Sequence, residues 1–262
     1  MKKQILIALN IMFFFMLGCS SEGNSIDPVK VEPKLPIKKI YTHNNSSSIN
    51  QYTYDDQFRL KKNFYSNNVD DYYEFNYLEN KLLSIYKYDN KELIVKTLFT
   101  YNEGNIVKSE TYNLNLLNTV YYEYDSSNRL VKVRNVNDTP NSTDWIITFE
   151  YLENDKVKIV YKDTEYHIIQ YENIKKSPFS AVPYFEAYLR SSIFRATFAL
   201  GDEIKTLPPI NVFIKTKSYI DNQLFFENTY TNTYDADGFL IKQVKTSPNT
   251  QSIVTEEYTY NK

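Results

Sequence analysis

Tyr122-Glu123-Tyr124-Asp125-Ser126-Ser127-Asn128-Arg129-Leu130, followed by Val131-Lys132-Val133, reads as strand, tight turn, strand. Tyr122 and Tyr124 are two residues apart and share one strand face. Asp, Ser and Asn then supply a turn, because they bond their own backbone or tolerate positive φ. Aligning the chain on this pattern gives Tyr54-Asp55 with Leu60, Tyr77-Leu78 with Leu82, Tyr101-Asn102 with Ile106, Tyr151-Leu152 with Val157, and Tyr234-Asp235 with Leu240. Tyr260-Asn261 begins one further copy. The first five anchors lie 23, 24, 23 and 27 residues apart. Nearly every copy has an aromatic two residues earlier (Tyr52, Phe75, Phe99, Tyr122, Phe149, Tyr258), the exception being Asn232.

A unit of roughly 24 residues with two strands and two turns is a hairpin repeat. Consecutive hairpins lie side by side, so the expected fold is all-β, a long antiparallel meander. A sheet of roughly a dozen strands curls strongly or closes into a barrel-like sheet, which also removes its edges. The composition agrees, with 25 Tyr and 16 Phe against only 5 Gly. Trp145, Ile147, Phe149 and Tyr151 extend the alternation over four positions.

The rhythm breaks between Tyr171 and Tyr219, an insertion near 172–210. Phe185, Leu189, Ile193 and Ala196 recur at helical spacing, Pro183 suits a first turn and Gly201 a helix end, so one helix is expected over Tyr184 to Leu200. This helix either caps the open end of the curled sheet or plugs a ligand-holding lumen. In the second case Tyr184, Tyr188, Arg190 and Arg195 are the candidate ligand-binding residues.

The start of the chain carries an address. Lys2-Lys3 precede an apolar run from Ile5 to Leu17, too short for a confident membrane span, and Gly18-Cys19 follows. Residues 1–18 read as a signal peptide, and residues 19–40, with Pro28, Pro33 and Pro36, as a tether leading to a single β-repeat domain over 41–262. Asn44 to Ser48 reads as a polar loop before the first repeat. Cys19 is the only cysteine, so no intramolecular disulfide exists.

Little in the chain points to chemistry. Removing Lys2 and Lys3 leaves 28 basic against 32 acidic residues, scattered rather than clustered, which gives nucleic acid no basic patch. The two histidines, His43 and His167, have no metal-ligand spacing, and the His167 strand position reads as structural. Five glycines build no phosphate loop, and no Gly-x-Ser-x-Gly elbow occurs. Asp235-x-Asp237-Gly238 falls where the repeat demands a turn and lacks the rest of a calcium loop. No catalytic residue, metal or cofactor is therefore expected, and the aromatic rows, Trp145 included, read as core. Lys61, Lys108, Lys158 and Lys242 interrupt the faces that a membrane-spanning barrel would turn to lipid.

Two resemblances bear on these residues. The ending Met16-Leu17-Gly18-Cys19 resembles the lipobox of bacterial lipoproteins, which implies that Cys19 is acylated and becomes the first mature residue. The Tyr122 to Leu130 motif resembles the YD repeat of RHS-type proteins. The whole layout, from Tyr52 to the end, is similar to an uncharacterised family of bacterial lipoproteins described as having a porin-like β-fold. That likeness implies a curled or barrel-like sheet held at the outer membrane of a Gram-negative envelope by a lipid on Cys19. It brings no activity. The expected role is a non-catalytic module binding a glycan, lipid or small molecule; a structural partner of an outer-membrane complex comes next, and a hydrolase last.

Overall fold

The computed structural model describes residues 32–262 except 45, 66–67, 114, 138–142, 173–175, 181, 183–211 and 249. The chain runs as eight hairpins. The first four are β1 (Pro36–His43) with β2 (Ser46–Tyr54), β3 (Leu60–Phe64) with β4 (Tyr72–Leu78), β5 (Lys81–Asp89) with β6 (Glu92–Asn102), and β7 (Asn105–Asn113) with β8 (Asn115–Tyr124). Then come β9 (Leu130–Asn137) with β10 (Trp145–Leu152), β11 (Lys156–Lys162) with β12 (Glu165–Glu172), β13 (Val212–Ile220) with β14 (Gln223–Tyr234), and β15 (Leu240–Ser247) with β16 (Ser252–Tyr260). Every strand pairs antiparallel with its sequence neighbours, and β1 pairs β16, closing a 16-strand barrel. The meander closes as expected. The helix expected over Tyr184 to Leu200 lies outside the described residues. β1 begins at Pro36, inside the stretch read as tether, and β2 takes in Ser46 to Ser48 of the expected loop. Proline is tolerated at a first strand residue, where no ladder donor is required.

The repeat motif builds one end of the barrel. In the turns at Asp55, Asp125 and Asp235, one carboxylate oxygen accepts the backbone N–H groups two and four residues on, at 2.9–3.0 Å. Hydrogen bonds led by the Arg129 backbone N–H hold the Asp125 carboxyl below its usual range. Phe58, Asn128 and Gly238 take the left-handed position of these turns, with φ of 62°, 59° and 81°. Only one of the three is glycine, which is why a search for turn glycines misses most copies.

The tyrosine after each strand has a bonding role. Ladders between successive repeats stop short of this end; β3 and β4, for example, pair only through Lys62–Phe64. The aliphatic residue after most of these turns sits at or beside a β-bulge, as at Tyr54/Leu60 and Tyr124/Leu130, while Tyr151/Val157 keeps regular register. Across the gap, the next tyrosine hydroxyl donates to that residue's carbonyl. Tyr77 reaches Leu60 (2.8 Å), Tyr101 reaches Leu82 (3.0 Å), Tyr124 reaches Ile106 (2.9 Å) and Tyr151 reaches Leu130 (3.0 Å). The cation preceding the aliphatic covers the same ring: Arg59 lies 4.4 Å from the Tyr77 centroid and Arg129 4.5 Å from that of Tyr151. Each repeat thus clasps the tyrosine of the next. Tyr77→Phe keeps the ring under Arg59 but strands the Leu60 carbonyl, and should cost about 1 kcal/mol by urea denaturation. An unchanged midpoint would remove the hydroxyl from the account.

The same geometry closes the barrel. Asn261 N–H donates to the Leu35 carbonyl (3.1 Å), and Leu35 N–H donates to Asn261 Oδ1 (2.9 Å). Asp125 and Arg129 exchange the equivalent two bonds inside one turn. Tyr54 hydroxyl then donates to the Pro36 carbonyl (2.6 Å), as Tyr77 does to Leu60. The copy begun at Tyr260-Asn261 is therefore completed by Leu35-Pro36.

The outer wall is charged where strands are well paired. Lys62–Glu74, Glu123–Lys132, Glu150–Lys158, Lys217–Glu227 and Lys242–Glu257 are direct cross-strand partners, with N–O distances of 2.8–3.6 Å. Tyrosines between them stack on one another or under lysines, as Tyr72 does on Tyr88 (4.7 Å) and under Lys62 (4.0 Å).

Candidate functional site: the polar half of the barrel interior

Strand alternation and the bulges decide which side chains face inward. Next to the tyrosine clasps lies a layer of buried aliphatics and aromatics, among them Leu60, Leu82, Phe99, Leu130, Phe149 and Val157. The core cluster draws its members from β2 through β12, joined by Leu35 and Val182. Moving away from the clasps on several strands, inward residues become polar and more exposed, whereas Val95 on β6 and Val254 on β16 stay apolar and buried. On β2 the series is Tyr52 buried, Asn50 half-buried, Ser48 exposed; on β7 it is Ser109 buried, Thr111 half-buried, Asn113 exposed. The interior therefore has a packed end and an open end.

Polar groups in the open half satisfy one another across strands. Asn50 Nδ2 donates to Asn63 Oδ1 (3.1 Å), Asn118 Nδ2 to Asn135 Oδ1 (2.8 Å), and Asn228 Nδ2 to Thr216 Oγ1 (3.1 Å). Lys39 Nζ pairs with Glu256 Oε1 (3.0 Å), while Tyr258 hydroxyl donates to Glu256 Oε2 (2.5 Å). Burial, followed by the Glu256 charge, pushes the Tyr258 hydroxyl well above its ordinary range, so it remains a donor. The arc from β13 to β3 is the more polar wall, and β4 to β12 the more apolar one. His167 faces inward on β12, its Nδ1 2.5 Å from Ser218 Oγ and its ring edge against Tyr161. Burial pushes its imidazole down to about 4, so it is neutral at physiological pH. Its surroundings are those of a structural histidine.

The insertion enters at the packed end. Lys176 bridges to Phe239, Phe179 sits edge-on to Tyr52 with ring centroids 5.2 Å apart, and Val182 is buried in the core cluster. Cys19, Tyr184, Tyr188, Arg190 and Arg195 lie outside the described residues. Trp145 faces inward as its alternation indicates, half-buried at the open side of the core cluster. Among the described residues, no group of three or more His, Cys, Asp and Glu side chains could hold a metal ion.

The inward amides are the residues that sequence reasoning missed. Each bulge shifts the inward parity by one residue, so Val133 and Asn135, rather than Lys132 and Arg134, continue from Leu130. A period-two reading carried through the bulge puts these side chains on the wrong face. Allowing one extra residue after Leu60 and Leu130 would have found Asn63 and Asn135, while Asn50 and Asn118 continue the alternation of Tyr52 and Tyr122 without a bulge.

No protein-family model and no curated protein matches the chain. Among solved structures, the chain is similar to a porin-like protein from Bacteroides uniformis, 13% identical over 87% of this chain and 99% of that one, with a TM-score of 0.55. A porin-like protein from Bacteroides vulgatus matches at 13% identity over the same shares, with a TM-score of 0.44. The Tc holotoxin pore of Photorhabdus luminescens matches at 14% identity over 83% of this chain and 10% of that chain, with a TM-score of 0.24. The last two fits are too loose to carry an argument. The first shows the fold: this closed meander shares the barrel architecture of the porin-like protein.

Proposed function

We propose that this chain is a lipid-anchored envelope protein whose barrel stands in water and binds a ligand, without catalysis, in the open half of its interior. The observation carrying this reading is the gradient inside the barrel, from a packed aromatic layer through buried amides and hydroxyls such as Asn63, Asn135, Thr216 and Asn228 to half-buried ones such as Asn50 and Thr111 and one ion pair. A binding cavity needs such a mixture of apolar wall and convergent polar groups. The opposed Lys–Glu pairs on the outer wall support placing the barrel outside the bilayer, because a lysine facing lipid at the midplane costs about 2–4 kcal/mol. Lys2-Lys3, the apolar run and Gly18-Cys19 support export and acylation.

The anchor is tested by palmitate labelling, which Cys19→Ala should abolish; unchanged labelling would overturn it. The open interior is tested by single cysteines in a chain that otherwise carries none beyond Cys19. Thr111→Cys and Asn50→Cys should react readily with a hydrophilic maleimide, and Phe99→Cys should not. If none reacts, the interior is filled and the binding reading falls. That outcome would favour a partner-binding role, for which Ile220, Leu224 and Phe225 on the β13–β14 hairpin are the supporting feature, being 38%, 51% and 60% exposed.

A further inference from the structure

Outside the interior, we propose that the leading edge of β14 takes a strand from another protein, an extended and neutral segment with apolar residues at alternate positions. β14 is the longest of the sixteen strands, with 12 residues from Gln223 to Tyr234. β13 pairs along it up to the turn, but β15 reaches only Thr229, opposite Thr246. Ser247-Pro248 ends that ladder, since proline has no N–H to donate, and the chain turns back with Thr250 N–H donating to the Ser247 carbonyl (3.2 Å). Among the described residues, no strand pairs with the far edge of Gln223, Leu224, Phe226 and Glu227. The start of β14 thus stands beyond β15 by Gln223 to Asn228, about 20 Å of strand.

A row of unpaired N–H and C=O groups is complementary to one kind of partner, another extended chain. Proteins guard such rows with charged or polar residues. Two other overhangs at this rim follow that rule. The part of β6 beyond β7 opens with Glu92 after Lys91, and the part of β2 beyond β3 reads Ser46-Ser47-Ser48-Ile49-Asn50. β14 instead presents Leu224, 51% exposed, with Ile220 across the turn at 38%. Phe225, also exposed, rests edge-on against Phe226 (5.7 Å). The first acid on the strand, Glu227, is held by Lys215 (2.9 Å) and Lys217 (3.2 Å), while Asp221 in the turn accepts the Thr164 hydroxyl (3.3 Å). Charge therefore contributes little to recognition here, and every second side chain of the incoming strand lies beside Leu224. A second copy is the poorer occupant. Antiparallel pairing of β14 with its own image sets two barrels rim to rim and their Leu35 ends at opposite extremes, whereas anchors in one membrane draw those ends to the same side.

The probe is a capped, fluorophore-labelled peptide, Lys-Thr-Val-Thr-Val-Thr-Val-Lys, titrated into the full chain and followed by anisotropy, with hydrogen exchange in parallel. A saturable signal insensitive to salt is expected, with slowed exchange of the β14 amides before Thr229. N-methylation of alternate peptide residues should abolish binding in one phase and spare it in the other, because only every second residue of a strand turns its N–H to a given neighbour. Leu224→Lys should weaken binding about tenfold or more at unchanged melting temperature, and Leu93→Lys on β6 should leave it as it was. Identical behaviour of the two methylated peptides, or equal weakening by Leu93→Lys, would mean apolar adsorption and overturn strand pairing. Self-association of the chain by sedimentation, lost in Leu224→Lys, would make a second copy the occupant and overturn the one proposed. Absence of binding at millimolar peptide would overturn docking at this edge altogether. The interior cysteines report on a different surface, so the binding reading stands or falls separately.

Discussion

Leu35→Ala should lower the unfolding free energy by about 2–5 kcal/mol, the range for removing a buried leucine side chain. Leu35 is 2% exposed and belongs to the core cluster. Its backbone meanwhile holds Asn261 by the two bonds that close the last repeat. Lys34 adds to the seam, pairing with Asp235 at 2.7 Å and lying 5.7 Å from the Tyr260 ring centroid. The side-chain and seam contributions can be separated by circular permutation. Joining Asn261-Lys262 through one glycine to Lys34-Leu35-Pro36 restores the six-residue step found from Tyr124 to Leu130. With new ends between Asp221 and Asn222, an exposed two-residue turn, this chain should fold to the same sheet and resist denaturant at least as well as the parent. A permutant that fails to fold while Leu35→Ala costs little would show that Leu35-Pro36 do not complete the repeat.

Tyr124-Asp125 with Leu130 announced a hairpin because turn chemistry and side-chain alternation agree over a few residues, and counting the copies announced a sheet too wide to lie flat. Closure through Leu35 and Pro36 was not legible. Proline-rich polar sequence reads as tether, and it becomes a strand through the ladders that β2 and β16 supply on its two sides. The anchor tyrosines were read as packing residues. Packing explains their rings, but their hydroxyls bond carbonyls that exist as free acceptors only once the inter-repeat ladders stop short. Asn135 was hidden for a related reason, since the bulge after Leu130 forms only when β9 pairs with β8, whereas Asn118 lies in step with Tyr122 and Tyr124 on one strand. Trp145, by contrast, was placed on its correct face by simple alternation, with no bulge between it and Tyr151. What that face contains depended on the neighbouring strands.

Acidification from pH 7 to about pH 4 should destabilise the barrel by up to about 3 kcal/mol through His167 alone. Burial depresses its folded-state value to about 4, against 6.5 for the unfolded chain. Between those values the unfolded state binds more protons, so stability rises with pH; it is lost as pH falls through the window and fully present above about pH 6.5. The carboxylates with depressed values, Asp55, Asp125, Glu227 and Asp235, act lower, since their contribution begins to fade only as pH falls to about 5. The tyrosines with raised values act above pH 10. Among the groups with shifted values, the region between about pH 5 and 6.5 is therefore dominated by His167. His167→Gln retains a group able to bond Ser218 Oγ but has no proton to gain. Its urea midpoint should be nearly flat across that region, while the parent's declines. Parallel curves for the two proteins would mean that His167 is not held neutral inside the barrel, and that the wall around Tyr161 and Ser218 admits enough water to stabilise its charge.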